Sequence, residues 1–90
     1  MAEKPKAKDG TLRALVREVL AMAPGYGLTD EMLCRAVREL LPVNSADDSA
    51  ILTAAEWNLG KDFVSTAENE DTDEREWRIT HHGLAKQSLK

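Results

Sequence analysis

The spacing of apolar residues along this 90-residue chain changes once, from a helical period to a strand period near residue 63. Before that point, apolar side chains recur every three or four residues, as in Leu12, Leu15, Val16, Val19 and Leu20. This spacing predicts an amphipathic helix, with Arg13 and Arg17 turned outward. After that point, polar and apolar residues alternate, so Trp77 and Ile79 should face the helices from a strand. A chain of this length holds one domain, which we expect to be α+β.

Two further helices are expected before the change in period. Thr29 is a good N-cap residue, with acidic residues after it, and Pro42 ends the helix that Thr29 begins. Asn44 or Ser45 can cap the third helix. Its inward stripe is predicted to be Ile51, Leu52, Ala55 and Leu59, with Asn58 toward the flank. Between the first two helices, residues 26–28 can add a brief strand to a sheet formed elsewhere.

The end of the chain is predicted to be an antiparallel hairpin followed by a short helix. Residues 63–67 favour strand, residues 68–74 read ENEDTDE, and residues 76–80 alternate in polarity. The acidic stretch between the two strands should form a loose tip. Thr80 can cap the last helix, which Gly83 should weaken.

Composition and charge exclude several classes of protein. The chain is 42% hydrophobic and 31% charged, which is globular composition, and it has no apolar run of the roughly 18 residues that a membrane helix needs. Its start, MAEKPKAKDG, lacks the apolar stretch of a secretory signal. Because this segment is rich in lysine and has almost no apolar content, we expect a flexible basic arm over 1–10, followed by a folded domain over 11–90. One cysteine, Cys34, cannot form an internal disulfide. We therefore expect a cytoplasmic protein that does not act at a membrane.

No catalytic, cofactor or metal motif emerges from the sequence. His81 and His82 are adjacent, and neighbouring side chains at a helix start point about 100° apart, which disfavours a shared metal. The acidic stretch lacks the turn glycine and the closing glutamate of a calcium loop. No nucleophile-elbow motif is present. We expect no enzymatic activity, no cofactor and no small-molecule substrate.

The order of three helices, a possible short strand, a hairpin and a last helix resembles the winged-helix superfamily. The resemblance covers residues 11–89 and is carried by three segments: Leu28 to Glu31, Trp57 to Val64, and Trp77 to Leu84. Within that superfamily, the chain looks most like small winged-helix proteins of Mu-like phages and prophages. The resemblance implies a three-helix bundle, a two-stranded wing and a short C-terminal helix. It also implies a DNA-binding, transcription-regulatory accessory protein whose third helix enters the major groove and whose wing touches the DNA backbone.

The residues at that implied interface are unusual for a DNA-binding surface. The outward positions of the third helix are predicted to be Ala46, Ser49, Ala50, Thr53, Glu56 and Trp57, with no Arg, Lys or Gln among them. Five acidic residues lie in the wing tip, where they would repel phosphate. The candidate DNA contacts are therefore Ser49 and Thr53 on the third helix, Arg75 and Arg78 on the wing, and Lys4, Lys6 and Lys8 on the arm.

A second function stays open, namely a winged helix that binds protein instead of DNA. An outward Trp57 beside Ala46 and Ala50 would form a small apolar patch suited to a protein partner or a homodimer. Alternatively, Trp57 folds back on the first helix or the hairpin as a residue at the edge of the core. The acidic wing favours the protein-binding function, and the basic arm favours DNA.

Overall fold

The structure, a computed structural model, describes residues 7–88, and it is α+β as the sequence predicts. Within these residues it has four helices and three strands. In chain order they are α1 (Asp9–Ala21), β1 (Leu28–Thr29), α2 (Asp30–Glu39), α3 (Asp48–Gly60), β2 (Val64–Glu68), β3 (Arg75–Ile79) and α4 (His81–Ser88). No helix among the described residues is long and apolar enough to cross a bilayer.

The three strands form one antiparallel sheet with β3 in the centre, in the order β1-β3-β2. Leu28 pairs with Trp77 on one side of β3, and Val64 pairs with Ile79 on the other. A brief strand is present in this region, but it spans Leu28–Thr29 and shares only Leu28 with the expected range 26–28. The wing is therefore anchored to the segment that leads directly into α2.

The core lies between the helices and the inner face of this sheet. Trp77 is fully buried there and is the largest fully buried side chain among the described residues. Val16, Leu33 and Ile51 bring α1, α2 and α3 against it, and each is fully buried. Ile79 packs against the same cluster at its edge. The prediction that Trp77 and Ile79 face the helices is confirmed.

Side chains cap the starts of α2 and α3, and the cap of α3 differs from the predicted one. The Thr29 hydroxyl accepts a hydrogen bond from the Met32 amide at 3.2 Å, as predicted. The cap of α3, however, is Asp47, whose carboxylate accepts from the Ala50 amide at 2.8 Å, and not Asn44 or Ser45. Ser45 is buried, and its hydroxyl donates to the Pro42 carbonyl. It therefore closes the preceding turn and is not available to cap the helix.

The first helix begins at Asp9, two residues before the expected boundary of the arm. Lys8 stands at its N-cap position, and the Ala7 amide donates to the Ser45 carbonyl at 2.9 Å. The end of the expected arm is thus part of the fold. Lys4 and Lys6 lie outside the described residues.

Gly83 is a packing requirement of the last helix. A Cβ atom on Gly83 would overlap the Phe63 carbonyl oxygen and lie 2.7 Å from Ile79 Cδ1. The Thr80 hydroxyl accepts from the Gly83 amide at 3.0 Å, which confirms the predicted cap of α4. The glycine lowers helix propensity, but it allows α4 to lie directly against the residue that precedes β2.

Candidate nucleic-acid interface

The exposed face of α3 carries no positive charge. Ser49, Thr53 and Glu56 are all exposed on it. The Thr53 hydroxyl donates to the Ser49 carbonyl at 2.8 Å, so its proton is used within the helix. Leu59, predicted to point inward, is 39% exposed, whereas Asn58 is fully buried in its place. This face can supply short polar and apolar contacts but no guanidinium or amide fork for a base edge.

Arg75 and Arg78, the two wing arginines predicted to contact nucleic acid, are both near carboxylates. Arg75 donates two hydrogen bonds to Asp30, from Nε at 3.1 Å and from Nη2 at 2.9 Å. Its guanidinium also lies over the Trp77 ring at 4.5 Å. The Arg78 guanidinium is 3.7 Å from a carboxylate oxygen of Glu76. Both side chains are thus partly neutralised within the wing and the start of α2.

The wing tip is a hydrogen-bonded turn, not the loose loop that the sequence predicts. The Asn69 side-chain oxygen accepts from the Asp71 and Thr72 amides, at 2.9 and 3.3 Å. The amide nitrogen of the same side chain donates to Glu76 at 3.2 Å. The five acidic residues of the tip, Glu68, Glu70, Asp71, Asp73 and Glu74, are exposed. They therefore form an ordered negative surface at the place where the resemblance implies backbone contact.

Cations on α2 and on the wing have carboxylate partners. Besides the two wing pairs, Arg35 lies 3.2 Å from Glu31, and Arg38 pairs with Asp48. Elsewhere in residues 7–88, no carboxylate lies within 4 Å of a charged nitrogen of Lys8, Arg13, Arg17, Lys61 or Lys86. Among residues 7–88, positive charge without a carboxylate partner is therefore found on α1 and its N-cap, at the end of α3 and on α4.

Four of those cations surround two aromatic rings, Trp57 at the end of α3 and Phe63 before β2, whose centroids are 6.1 Å apart. Arg13 lies 4.4 Å and Lys61 5.6 Å from the Trp57 centroid. Arg17 lies 5.4 Å and Lys86 5.9 Å from the Phe63 centroid. We call these six residues the cation–ring cluster. Each such contact is worth about 0.5–1 kcal/mol at an exposed site, enough to bias where the cations sit.

Arg17 is the buried member of this cluster, so the prediction that it points outward is wrong. It is 8% exposed and is held by two neutral acceptors, Asn58 Oδ1 at 2.9 Å and Gln87 Oε1 at 2.9 Å. Asn58 in turn donates to the Arg13 carbonyl at 3.1 Å. Burial lowers the pKa of the Arg17 guanidinium from its ordinary value. An arginine nevertheless keeps its charge at neutral pH.

Trp57 takes the second of the two positions considered for it, folded back on the first helix. Its ring contacts Phe63 and is covered by Arg13, and the side chain is only partly exposed. A small groove beside it is lined by Asp9, Arg13, Ala50 and Thr53. Ala46, predicted on the third helix, lies two residues before α3, and all three residues are partly buried, so Ala46, Ala50 and Trp57 do not form one open apolar face. An interface through these three residues stays a prediction.

Sequence reasoning did not identify the cation–ring cluster, although part of its signal was readable. Arg13 and Arg17 are one helical turn apart, and so are Trp57 and Lys61, which places each pair on one side of its helix. The missing step was the approach of α4 to Phe63, which depends on the long-range contact at Gly83.

The remaining titratable candidates do not assemble into a site. Among the residues that the structure describes, no group of three or more His, Cys, Asp or Glu side chains could hold a metal ion. His82 packs edge-on to the Phe63 ring at 4.8 Å. Cys34 is buried in the core, where burial raises the pKa of its thiol. A raised pKa disfavours the reactive thiolate.

Comparison with known proteins supports the fold. No protein-family model matches the chain, and no curated protein matches it. Among solved structures, it is similar to the Helicobacter pylori ferric uptake regulator Fur, whose structure is described as revealing three functional metal binding sites. The match has a TM-score of 0.61 at 16% identity and covers 86% of this chain and 61% of the Fur chain, less than two thirds of its length. The chain therefore has a winged-helix-like fold.

Proposed function

We propose that this chain is a non-enzymatic winged-helix module that binds DNA as a regulatory accessory protein in the bacterial cytoplasm. The likeness of its fold to a protein named as a regulator supports this role. The resemblance of residues 11–89 to small winged-helix proteins of Mu-like phages and prophages supports a phage or prophage setting.

The observation that carries the proposal is the uncompensated positive charge on α1, at the end of α3 and on α4. The chain as a whole has a net charge of −4, so non-specific attraction of the entire molecule to DNA is weak. Local cations that lack carboxylate partners can still release counterions from phosphates. Because α3 offers no basic side chain to base edges, we expect affinity to come mainly from the DNA backbone, with little sequence preference.

The test is a fluorescence-anisotropy titration of a short labelled duplex at several salt concentrations. Contacts from about three or four cations predict a slope of roughly −3 to −4 in log K against log salt. A peptide nucleic acid duplex of the same sequence, which has no phosphates, is the matched control and should not bind. No change in anisotropy at high micromolar protein in low salt would contradict the proposal. Replacing Lys4, Lys6 and Lys8 with Gln tests the predicted contribution of the arm.

The second candidate function, binding to another protein or to a second copy of the chain, is favoured by the exposed acidic wing tip. These carboxylates would weaken DNA binding near the wing but would suit a basic polypeptide surface. Sedimentation velocity over a range of protein concentrations tests the homodimer form. Self-association that is lost in the Ala50→Arg variant would support the predicted Ala46, Ala50 and Trp57 interface.

A further inference from the structure

Three cations without a carboxylate partner, Arg13, Lys61 and Lys86, gather near the buried guanidinium of Arg17. Arg17 is more than nine-tenths buried, and its two hydrogen-bonded acceptors in residues 7–88 are the neutral oxygens of Asn58 and Gln87. Taking a charge out of water costs several kcal/mol unless an opposite charge compensates it. The arrangement therefore favours an anion near the Phe63 edge of the cluster, where Lys86 adds a second cation.

The more exposed members of the cluster are held before any ligand arrives. The Arg13 guanidinium lies over the Trp57 ring, and Lys61 approaches the same ring. Ordering a long basic side chain costs up to about 2 kcal/mol of rotamer entropy, and these contacts meet part of that cost in the free protein. The result is a preorganised row of positive groups that joins α1 to the end of α3 and to α4.

We propose that this cation–ring cluster, and not the exposed face of α3 together with the wing, is the surface that holds the phosphate backbone of duplex DNA. The proposal rests on the DNA-binding function above and gives that function a location. A duplex strand carries a phosphate every ~3.4 Å along its axis, so several phosphates lie within reach of cations gathered around two neighbouring rings.

The rings themselves indicate a duplex as the occupant. Binding to single strands depends on bases stacking on open aromatic faces. Here Arg13 lies over the Trp57 ring, and the Phe63 ring is surrounded by Arg17, Lys86 and His82. The rings serve to position cations and offer no open platform to a base.

Local carboxylates reduce the positive charge of the cluster but do not cancel it. Asp9 shares the groove with Arg13, and Asp62 follows Lys61 in the chain. Neither carboxylate lies within ion-pair distance of a cation among residues 7–88. The wing side is different, because Glu56, Glu76 and the five acidic residues of the tip outweigh two arginines that already have carboxylate partners.

The experiment compares two triple variants that make the same change in net charge. One is Arg13→Gln, Lys61→Gln and Lys86→Gln in the cluster. The matched control is Arg35→Gln, Arg38→Gln and Arg78→Gln on α2 and the wing. Arg17 stays unchanged in both, since its loss would disturb the core. Thermal melts followed by circular dichroism establish that both variants are folded.

Anisotropy titrations then locate the interface. The cluster variant should lose affinity by about tenfold or more, and its salt slope should become shallower by roughly 2–3, while the control variant binds within about threefold of wild type. Amide shifts in ¹H–¹⁵N spectra during a duplex titration should concentrate at residues 13, 61 and 86 and at the Trp57 indole. A single strand of equal length should bind more weakly than the duplex.

Each outcome decides between the function and its location. No binding by the wild-type protein at low salt removes the DNA-binding function and this location with it. If binding is lost in the control variant, or equally in both variants, the DNA-binding function stands but the cation–ring cluster is not its location. Amide shifts centred on Ser49, Thr53 and the wing overturn the location as well. Tighter binding to the single strand overturns the assignment of a duplex.

Discussion

Asp30, at the start of α2, holds the wing to the helices, and its replacement should be among the most damaging surface substitutions. Its carboxylate accepts hydrogen bonds from Arg75 Nε, Arg75 Nη2 and Trp77 Nε1, at 3.1, 2.9 and 2.6 Å. Trp77 is fully buried, and its indole N–H has no other hydrogen-bond acceptor among the contacts of the described residues. We predict that Asp30→Ala loosens the wing and destabilises the whole domain.

The magnitude follows from three contributions. An unpaired buried indole N–H costs about 1–3 kcal/mol. The pair with Arg75 is about 40% exposed on each side, so it contributes only about 0–1 kcal/mol. A negative charge in the first turn of a helix adds about 0.3–1 kcal/mol. Together they predict a loss of about 2–4 kcal/mol for Asp30→Ala, or a fall in Tm of roughly 10–25 °C for a domain of this size.

The Asp30→Asn variant separates these contributions. It keeps an oxygen for the Trp77 indole but removes the charge, so its loss should be about 1 kcal/mol. The variants are compared by urea denaturation at pH 7, with tryptophan fluorescence and circular dichroism as the two probes. Equal losses in the Asn and Ala variants, or a loss below about 0.5 kcal/mol for Ala, would refute the reasoning that the Trp77 indole depends on Asp30.

The same group predicts a pH dependence of stability. The pKa of Asp30 is lowered, first by the hydrogen bonds from Arg75 and further by Trp77, against the opposing effect of partial burial. A carboxyl group whose pKa is lower in the folded than in the unfolded protein stabilises the fold at pH values above its unfolded-state pKa of about 3.9. This stabilisation is lost as the pH falls through the folded-state pKa. The gap in unfolding free energy between wild type and Asp30→Asn should therefore narrow below about pH 4. A gap that stays constant down to pH 2 would contradict this.

Two further substitutions test the packing of α4 and the support of the cation–ring cluster. Gly83→Ala should lower the unfolding free energy of the domain by about 1–3 kcal/mol, because the added methyl group meets the Phe63 carbonyl. The control is Gly60→Ala, whose methyl group has nothing within 4 Å and which should be neutral or slightly stabilising in the same thermal melts. Asn58→Leu removes one of the two acceptors of the Arg17 guanidinium and the donor to the Arg13 carbonyl, so chemical denaturation should show a loss of about 2–4 kcal/mol in unfolding free energy. A variant as stable as wild type would mean that Arg17 does not need Asn58.

The fold was predictable from sequence because its signals are local. The period of Leu12 to Leu20 and the alternation around Trp77 depend on nearest neighbours, and the Thr29 cap needs only a hydroxyl before a helix start. The cap of α3 was misplaced because three residues before Asp48 can serve as caps. The Ser45 hydroxyl donates to the Pro42 carbonyl and closes the turn, so Asp47 caps the helix instead. Competition of this kind is decided by the tertiary path of the chain.

The candidate site was less predictable because it depends on contacts between distant segments. The apolar stripe of the first helix predicts that Arg17 points into water. In the structure, however, Asn58 and Gln87, which are 41 and 70 residues away in the chain, accept its hydrogen bonds. The sequence predicts that the wing arginines contact DNA, but Asp30 lies 45 residues before Arg75 and accepts its hydrogen bonds. A sequence gives the number of charges in a chain, but the partners of those charges depend on how its segments pack.

The two faces of α3 connect these observations. Toward α1, Thr53 borders the groove that Arg13 and Trp57 line. Toward the wing, Glu56 is close enough to Arg75 to add to the rise in that residue's pKa, which the hydrogen bonds to Asp30 chiefly cause. A phosphate backbone is therefore attracted along the first side of α3 and repelled along the second. A duplex held by the cation–ring cluster would meet α3 on the side of Thr53 and Trp57, where α3 has no basic side chain, which is why we expect little base-specific readout and a salt-dependent affinity.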